Sequence, residues 1–368
     1  MVDWPAGKED VMGKPPFRNR VCAVFLLCAS TVIAAPAQTF TLLVSFNSTN
    51  GAFPEYGSLI QDAAGNLYGT TSQGGVNSGG TAFQVTPSGT VTTLYSFCAQ
   101  PGCADGSNPM GGLVRGADGN FYGAASGFGI NNTGTIFRLT PNGGLTTLHN
   151  FDGTDGAGPY ALIEASDGNF YGTTPSGGAY TYGTIFKIAP GGAFTTLYSF
   201  CAQAGCADGE VPSGLVEASD GNFYGATQSG GANNQGAIFK ITPGGSLTTL
   251  YTFGALAGCA DGIAPSAALI EASDGNFYGT TAYDPSVGDC VPFCGTVFKI
   301  TPDGALTTLH TFVSSEGAAP SALIQGADGN FYGTLQEGGA ALYPEGAIFK
   351  IYPKRHADNP ARLCLFPG

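Results

Sequence analysis

Residues 161–200 read ALIEASDGNFYGTTPSGGAYTYGTIFKIAPGGAFTTLYSF. It holds four runs rich in aromatic and β-branched residues, at 161–165, 169–174, 183–189 and 195–200. Residues of those types favour strands. Between the first two runs lies Asp167-Gly168, which predicts a two-residue type I′ hairpin because glycine accepts positive φ. Between the last two lies Pro190-Gly191-Gly192, a proline-initiated turn relieved by glycine. The stretch is therefore predicted to be a four-stranded antiparallel meander.

The same pattern recurs along the chain. Its asparagine returns as Asn66, Asn120, Asn169, Asn222, Asn276 and Asn330, at spacings of 54, 49, 53, 54 and 54 residues. Six units follow, and a lone meander cannot cover both its faces, so the units must stack. The sixth unit stops after residues 346–353 (GAIFKIYP) and lacks a TTLYSF run, whereas residues 40–46 (FTLLVSF) supply one before the first unit. That offset closes a ring, because an N-terminal strand can complete the last blade and remove the free sheet edges. The expected fold class is all-β: a six-bladed β-propeller of four-stranded antiparallel blades, closed by the N-terminal strand.

Composition agrees with many short strands joined by glycine turns. The 368 residues include 59 Gly, 25 Phe and 16 Tyr against one Trp, with 43% hydrophobic and 11% charged residues. That apolar content excludes a disordered chain. The net charge is −13 and the basic residues beyond the N-terminus are scattered singly. Without a cationic stripe, neither nucleic acid nor an anionic membrane surface is an expected partner.

Lys14, Arg18 and Arg20 precede an apolar run at 21–35 and then Ala35-Pro36-Ala37. This is the pattern of an export signal over residues 1–37, cut before Gln38, with Met12 as an alternative start. The run is shorter than a membrane span needs, so no span is expected once the signal is removed. The propeller then occupies 38–353, followed by a short tail at 354–368, in a secreted, extracellular or periplasmic protein. Cysteine usage fits an oxidising compartment. Close pairs at Cys98 with Cys103, Cys201 with Cys206, and Cys290 with Cys294 are expected disulfides. Cys259 stands apart because Gly254 takes the place of its partner, leaving a free thiol or a bond to Cys364.

The run D-G-N-F-Y-G-T-T, a Gly-rich gap, G-T-I-F-K-I-T-P-x-G and T-T-L-Y-S-F resembles the GloVer (Gloeobacter/Verrucomicrobia) tandem repeat of exported bacterial proteins. The resemblance spans about residues 40–353 and implies export, with no activity attached to it. A weaker similarity links the Asp-Gly-Asn turn and its aromatic strand to streptogramin-lyase-like and regulator-type β-propellers. Lyases of that kind depend on histidine. Here His149 and His310 replace Tyr95, Tyr198 and Tyr251 in the fourth run, and both read as structural.

Three sets of residues could carry chemistry. Asp105, Asp155, Asp208 and Asp261, with Asn50 and Glu316 at matching points, precede the inner strands and either form turns or recruit a cation such as Ca²⁺. Arg115, Glu164, Glu217 and Glu271, with Gln61 and Gln325, end the inner strands and would face the central channel. The loops between second and third strands carry Asn131, Asn132, Tyr180, Tyr182, Asn233, Asn234 and Tyr343, amides and aromatic faces suited to neutral polyhydroxylated ligands. No catalytic residue and no cofactor is expected from these patterns. The reading that follows is an exported, non-catalytic binding or surface-interaction propeller for a glycan or another small polar ligand on a cell surface. Its alternatives are a purely structural repeat protein and a polysaccharide hydrolase or lyase.

Overall fold

The computed structural model describes residues 41–54, 57–265, 267–282, 294–338, 346–352 and 364–365. The chain divides into residues 1–42, of which only Thr41 and Leu42 are described, and residues 43–368. The second unit holds six four-stranded antiparallel sheets, each in simple sequence order. In the third sheet the strands are Leu162–Glu164, Phe170–Thr174, Thr184–Ile188 and Phe194–Ser199. Its register pairs Tyr171 with Ile163 and with Lys187. A bulge falls between Ile185 and Phe186 in the pairing with the outer strand, and the same irregularity recurs in the first, second, fourth and fifth sheets.

The Asp-Gly turn differs from the expected two-residue hairpin. The Gly168 N–H donates to Ala165 O and the Ala165 N–H to Asn169 O, and within the turn only Gly168 takes positive φ, at 74°. This is a three-residue connection, a type I turn closed by a glycine bulge. Asp167 is thereby free to accept from the Asn169 N–H and the Tyr171 hydroxyl.

Packing between sheets follows from the alternation within strands. Five apolar clusters form, one for each successive pair of sheets. In each, a tyrosine of one sheet meets a phenylalanine of the next, stacked in four of them, as Tyr122 is on Phe170 at 4.0 Å and Tyr224 on Phe277 at 4.0 Å, and tilted between Tyr68 and Phe121. Burying side chains of this size contributes roughly 1.5–3 kcal/mol each. Glycine is required within the second strands: a Cβ on Gly172 would lie 2.6 Å from Phe186. At two of the prolines near the inner strands the preceding residue crosses to the sheet before, the Val211 N–H donating to Tyr182 O and the Ala264 N–H to Gln235 O. Val211 pays for this contact with a φ of 55°, a rare conformation for a β-branched residue.

The expected closing strand is placed differently. Residues 41–46 form no strand, and the fourth position of the sixth sheet is held by Cys364–Leu365, paired with Lys350 and Phe349. The N-terminal run carries the packing of an outer strand without its pairing. Phe46 meets Phe83 of the first sheet at 4.8 Å, as Phe97 meets Phe137 at 5.0 Å, and a Cβ on Gly89 would touch Leu43 O as one on Gly143 would touch Leu94 O. Residues 41–46 keep the apolar positions of the repeat, but among the described residues they pair with no strand.

Candidate functional site

The carboxylates ahead of the inner strands each close the loop that precedes them. Asp208 is fully buried; one oxygen accepts from the Tyr198 hydroxyl at 2.9 Å and the Ala202 N–H at 3.0 Å, the other from the Gln203 N–H at 3.1 Å. Asp105 repeats this with Tyr95, Ala99 and Gln100, and Asp261 with Tyr251, Ala255 and Leu256. Burial first, and then the adjacent carboxylate, push the Tyr95, Tyr198 and Tyr251 phenols above their usual range. The structure does not gather Asp105, Asp155, Asp208 and Asp261 into one cluster. Among the described residues the group able to offer three ligands to a metal is Cys201, Cys206 and Glu210.

In two sheets histidine takes the tyrosine position and keeps the carboxylate. His149 Nε2 lies 2.7 Å from Asp155 Oδ2, and His310 Nε2 lies 3.0 Å from Glu316 Oε2. Asp155 also accepts from the Asp152 N–H, and Glu316 from the Val313 N–H. The His149 ring stacks on Phe194 at 3.7 Å with an interplanar angle of 2°. Both imidazoles keep about a fifth of their side chain exposed, at 19% and 21%. Among the described residues no hydrogen bond engages either Nδ1.

Loss of a buried carboxylate should be costly. Asp208→Ala strands the Tyr198 hydroxyl and two backbone N–H groups, and each buried donor without a partner costs about 1–3 kcal/mol. We expect a stability loss of at least about 2 kcal/mol, read from the urea midpoint at constant m-value. Tyr180→Ala, at an exposed loop side chain, should stay within about 0.5 kcal/mol.

Glu164, Glu217 and Glu271 end the inner strands and reach across to the turn of the preceding sheet. Glu164 accepts from the Ala117 N–H at 2.8 Å. Glu217 receives the N–H and hydroxyl of Ser166 at 2.8 and 2.5 Å, and Glu271 those of Ser219 at 2.9 and 2.6 Å. Gln325 receives the Ser273 N–H at 3.0 Å. Arg115 is exposed, its charge acting on Tyr68 of the first sheet. These groups thus staple neighbouring sheets, and Ser166 and Ser219 are partners that strand alternation alone does not reveal.

The loop amides divide. Asn131 Nδ2 donates to Phe151 O at 2.8 Å and Asn233 Nδ2 to Phe253 O at 3.0 Å, so both are occupied in fixing their loops. Asn132 and Asn234 sit at φ of 60° and 58°, a left-handed position that asparagine tolerates. Tyr180 and Tyr182 are exposed, and Tyr343 lies outside the described residues. Disulfides join Cys98 to Cys103 and Cys201 to Cys206, each with Cα atoms 4.0 Å apart. Cys294 is buried and disulfide-bonded, while Cys290 lies outside the described residues. Cys259 carries no disulfide.

At the Asp-Gly-Asn turns, carboxylates are shared between a lysine and a tyrosine, as in Asp274 with Lys299 at 2.9 Å and Tyr278 at 2.9 Å. Partial burial pushes Asp274 up, but the Lys299, Tyr278 and Asn276 hydrogen bonds outweigh it and hold the group down at about 2. Asp167, Asp220 and Asp328 lie below the usual carboxylate range, with Lys187, Lys240 and Lys350 the foremost lowering partners. A carboxylate with a lowered folded pKa contributes stability above its unfolded value of about 4 and loses it as the proton returns. The melting temperature should therefore fall between about pH 4 and pH 2, and Asp274→Asn should remove part of that slope. These pairs are partly exposed, so each contributes modestly.

The family model described as the Gloeobacter/Verrucomicrobia repeat matches residues 31–163 and 158–359. The chain belongs to this family. No curated protein matches its sequence. Among solved structures, the periplasmic gluconolactonase of Pseudomonas aeruginosa is similar at 16% identity and TM-score 0.50, covering 82% of this chain and 83% of that one. A gluconolactonase of Xanthomonas campestris is similar at 15% identity and TM-score 0.45, covering 78% and 84%. At such identity the likeness concerns the fold. The expectation of a non-catalytic binding propeller is corrected here: the structure similar at TM-score 0.50 is named a gluconolactonase, and the Asn131 and Asn233 amides expected to meet a glycan are consumed within their own loops. Among the described residues no helix is long and apolar enough to cross a membrane.

Proposed function

We propose that the protein is an exported hydrolase of the sugar-lactone or carboxylic-ester class, carried on a closed six-bladed β-propeller. The observation that carries the chemistry is the pair of imidazole–carboxylate contacts, His149 with Asp155 and His310 with Glu316. Tyrosine at the equivalent positions is a neutral donor with its proton held above the usual range, and it cannot act as a base near neutral pH. Imidazole can. The carboxylate fixes the proton on Nε2, so Nδ1 is the acceptor. In the proposed step a water attacks the carbonyl carbon while its proton passes to Nδ1. The acyl C–O bond then breaks, the ring oxygen of the lactone takes a proton from the imidazolium, and the hydroxy acid leaves. The carboxylate stabilises the imidazolium in between, as in other His–carboxylate pairs.

The fold likeness to a periplasmic gluconolactonase supports the substrate class, and the Cys98–Cys103 and Cys201–Cys206 disulfides support an oxidising compartment reached through a leader at 1–37. The assay is direct. Purified protein is offered aldonolactones and short aryl esters, with and without added divalent metal, and acid release is followed by indicator dye. Hydrolysis of one class above the uncatalysed rate is expected; no acceleration with any of them would overturn the reading.

A further inference from the structure

The Cys201–Cys206 loop holds more than a disulfide. The Glu210 carboxylate lies with both sulfurs inside a span of 4.8 Å, all three residues being half-buried, and Ser229 Oγ donates to Glu210 Oε2 at 3.3 Å. While the sulfurs are bonded to each other they are poor ligands, because it is the thiolate that binds metal. After reduction the same three residues would offer two thiolates and a carboxylate.

What decides the matter is whether the loop survives without its disulfide, and the chain contains that comparison. The loop ending in Cys259 has Gly254 in place of the first cysteine and carries no disulfide. It folds alike nonetheless. Gly258 sits at φ 67° and ψ 18°, against 66° and 23° for Gly205 and 66° and 19° for Gly102. Cys259 has φ 55°, against 52° for Cys206 and 54° for Cys103. Asp261 accepts from Tyr251, Ala255 and Leu256 as Asp208 does from Tyr198, Ala202 and Gln203. The buried aspartate therefore shapes this loop, and the disulfide is an addition to it. Reduced Cys201 and Cys206 would remain side by side next to Glu210.

We propose that two-electron reduction of the Cys201–Cys206 disulfide creates a metal site in which Cys201, Cys206 and Glu210 bind one thiolate-preferring divalent cation such as Zn²⁺. A thiol or phosphine reductant supplies the electrons: the S–S bond breaks, two thiols form, and the reductant leaves as its disulfide or phosphine oxide. Metal binding then releases both thiol protons to solvent. Tetrahedral zinc with Zn–S bonds of about 2.3 Å needs its sulfurs roughly 3.8 Å apart. Cα atoms 4.0 Å apart allow that by side-chain rotation alone. Three protein ligands leave a fourth position for water. The sister loop at Cys98–Cys103 has Ser107 where Glu210 stands, and the disulfide-free loop has Ile263, so the complete set of donors occurs once among the three. The proposal is independent of the hydrolytic reading.

The experiment uses the full chain with Cys259→Ser as background, reduced by a phosphine and titrated with Co²⁺ under argon, followed by competition with Zn²⁺. Near-ultraviolet thiolate-to-cobalt absorption should saturate at one equivalent in reduced protein and be missing from oxidised protein. Glu210→Gln, which preserves shape, should weaken binding at least tenfold. The double change Cys98→Ser and Cys103→Ser should leave the signal in place, and Ser107→Glu should add a second equivalent. Circular dichroism of each reduced variant checks that the fold is kept. Reduced, folded protein without thiolate absorption would overturn the proposal, as would an affinity indifferent to Glu210→Gln.

Discussion

Ile348→Ala is expected to destabilise the protein by about 2–5 kcal/mol, the cost of truncating a core residue, although this side chain is 56% exposed in the structure. The other five interfaces bury the corresponding side chains. Ala82 shares a cluster with Leu113, Ile136 with Leu162, Ile185 with Leu215, Ile238 with Leu269 and Val297 with Leu323. The first member of each pair is 0% exposed, and the leucines are between 2% and 7% exposed. Continuing the series pairs Ile348 of the sixth sheet with Leu59 of the first, which is 55% exposed. Two apolar faces of matching design are thus left over, and a ring in which the sixth sheet seats on the first covers both. Covering them is favourable by the same area argument that holds the other sheets together. Leu59→Ala should then cost a similar amount, and the double variant should show a coupling of about 0.5–3 kcal/mol. Urea unfolding decides the point: if each single change stays within about 0.5 kcal/mol, as an exposed substitution would, the two faces are not joined and the closed propeller is wrong.

The sheets were legible because the repeat states them six times. A period of about fifty residues with four strand-like runs leaves little freedom, and the runs at 169–174 and 183–189 reappear as Phe170–Thr174 and Thr184–Ile188. The turn type was not legible, since Asp-Gly serves a two-residue hairpin and a type I turn with a glycine bulge equally well. Nor was the occupant of the sixth sheet's outer position. Cys364–Leu365 carries none of the TTLYSF pattern, and pairing by two residues leaves almost no trace in sequence. For the candidate site, alternation placed Glu164, Glu217 and Glu271 on one face of their strands but could not name the partner across the sheet boundary. The serine before Asp167 and Asp220 was the available signal. The carboxylate pairs were more open to reading: Tyr95 and Asp105, Tyr198 and Asp208, and Tyr251 and Asp261 are each ten residues apart, and the two histidines keep a carboxylate six residues on.

That last regularity yields the sharpest test of the chemistry. His149→Tyr and His310→Tyr each install the side chain that three other sheets use at the same position, opposite a carboxylate that remains. Ordinary histidine substitutions confuse a lost base with a damaged loop, whereas tyrosine opposite a carboxylate already occupies this strand position in three other sheets. Asp105, Asp208 and Asp261 show the geometry such a pair adopts, with the phenol 2.8–2.9 Å from the carboxylate. Phe194, stacked on His149, offers the incoming ring an apolar neighbour as well. The loops of His149 and His310 are shorter than those of the tyrosine units, six residues to the carboxylate against ten, so a small strain is expected and the melting temperature should move by only a few degrees. Activity should respond quite differently. Removing a general base typically costs 10²–10⁴-fold, so the double variant should lose at least about 10²-fold in kcat while its KM for the lactone changes little. The single variants show which pair acts. A double variant that keeps full kcat would leave both imidazoles as loop supports of the same kind as Tyr95, Tyr198 and Tyr251, and the base would have to be sought elsewhere on the molecule.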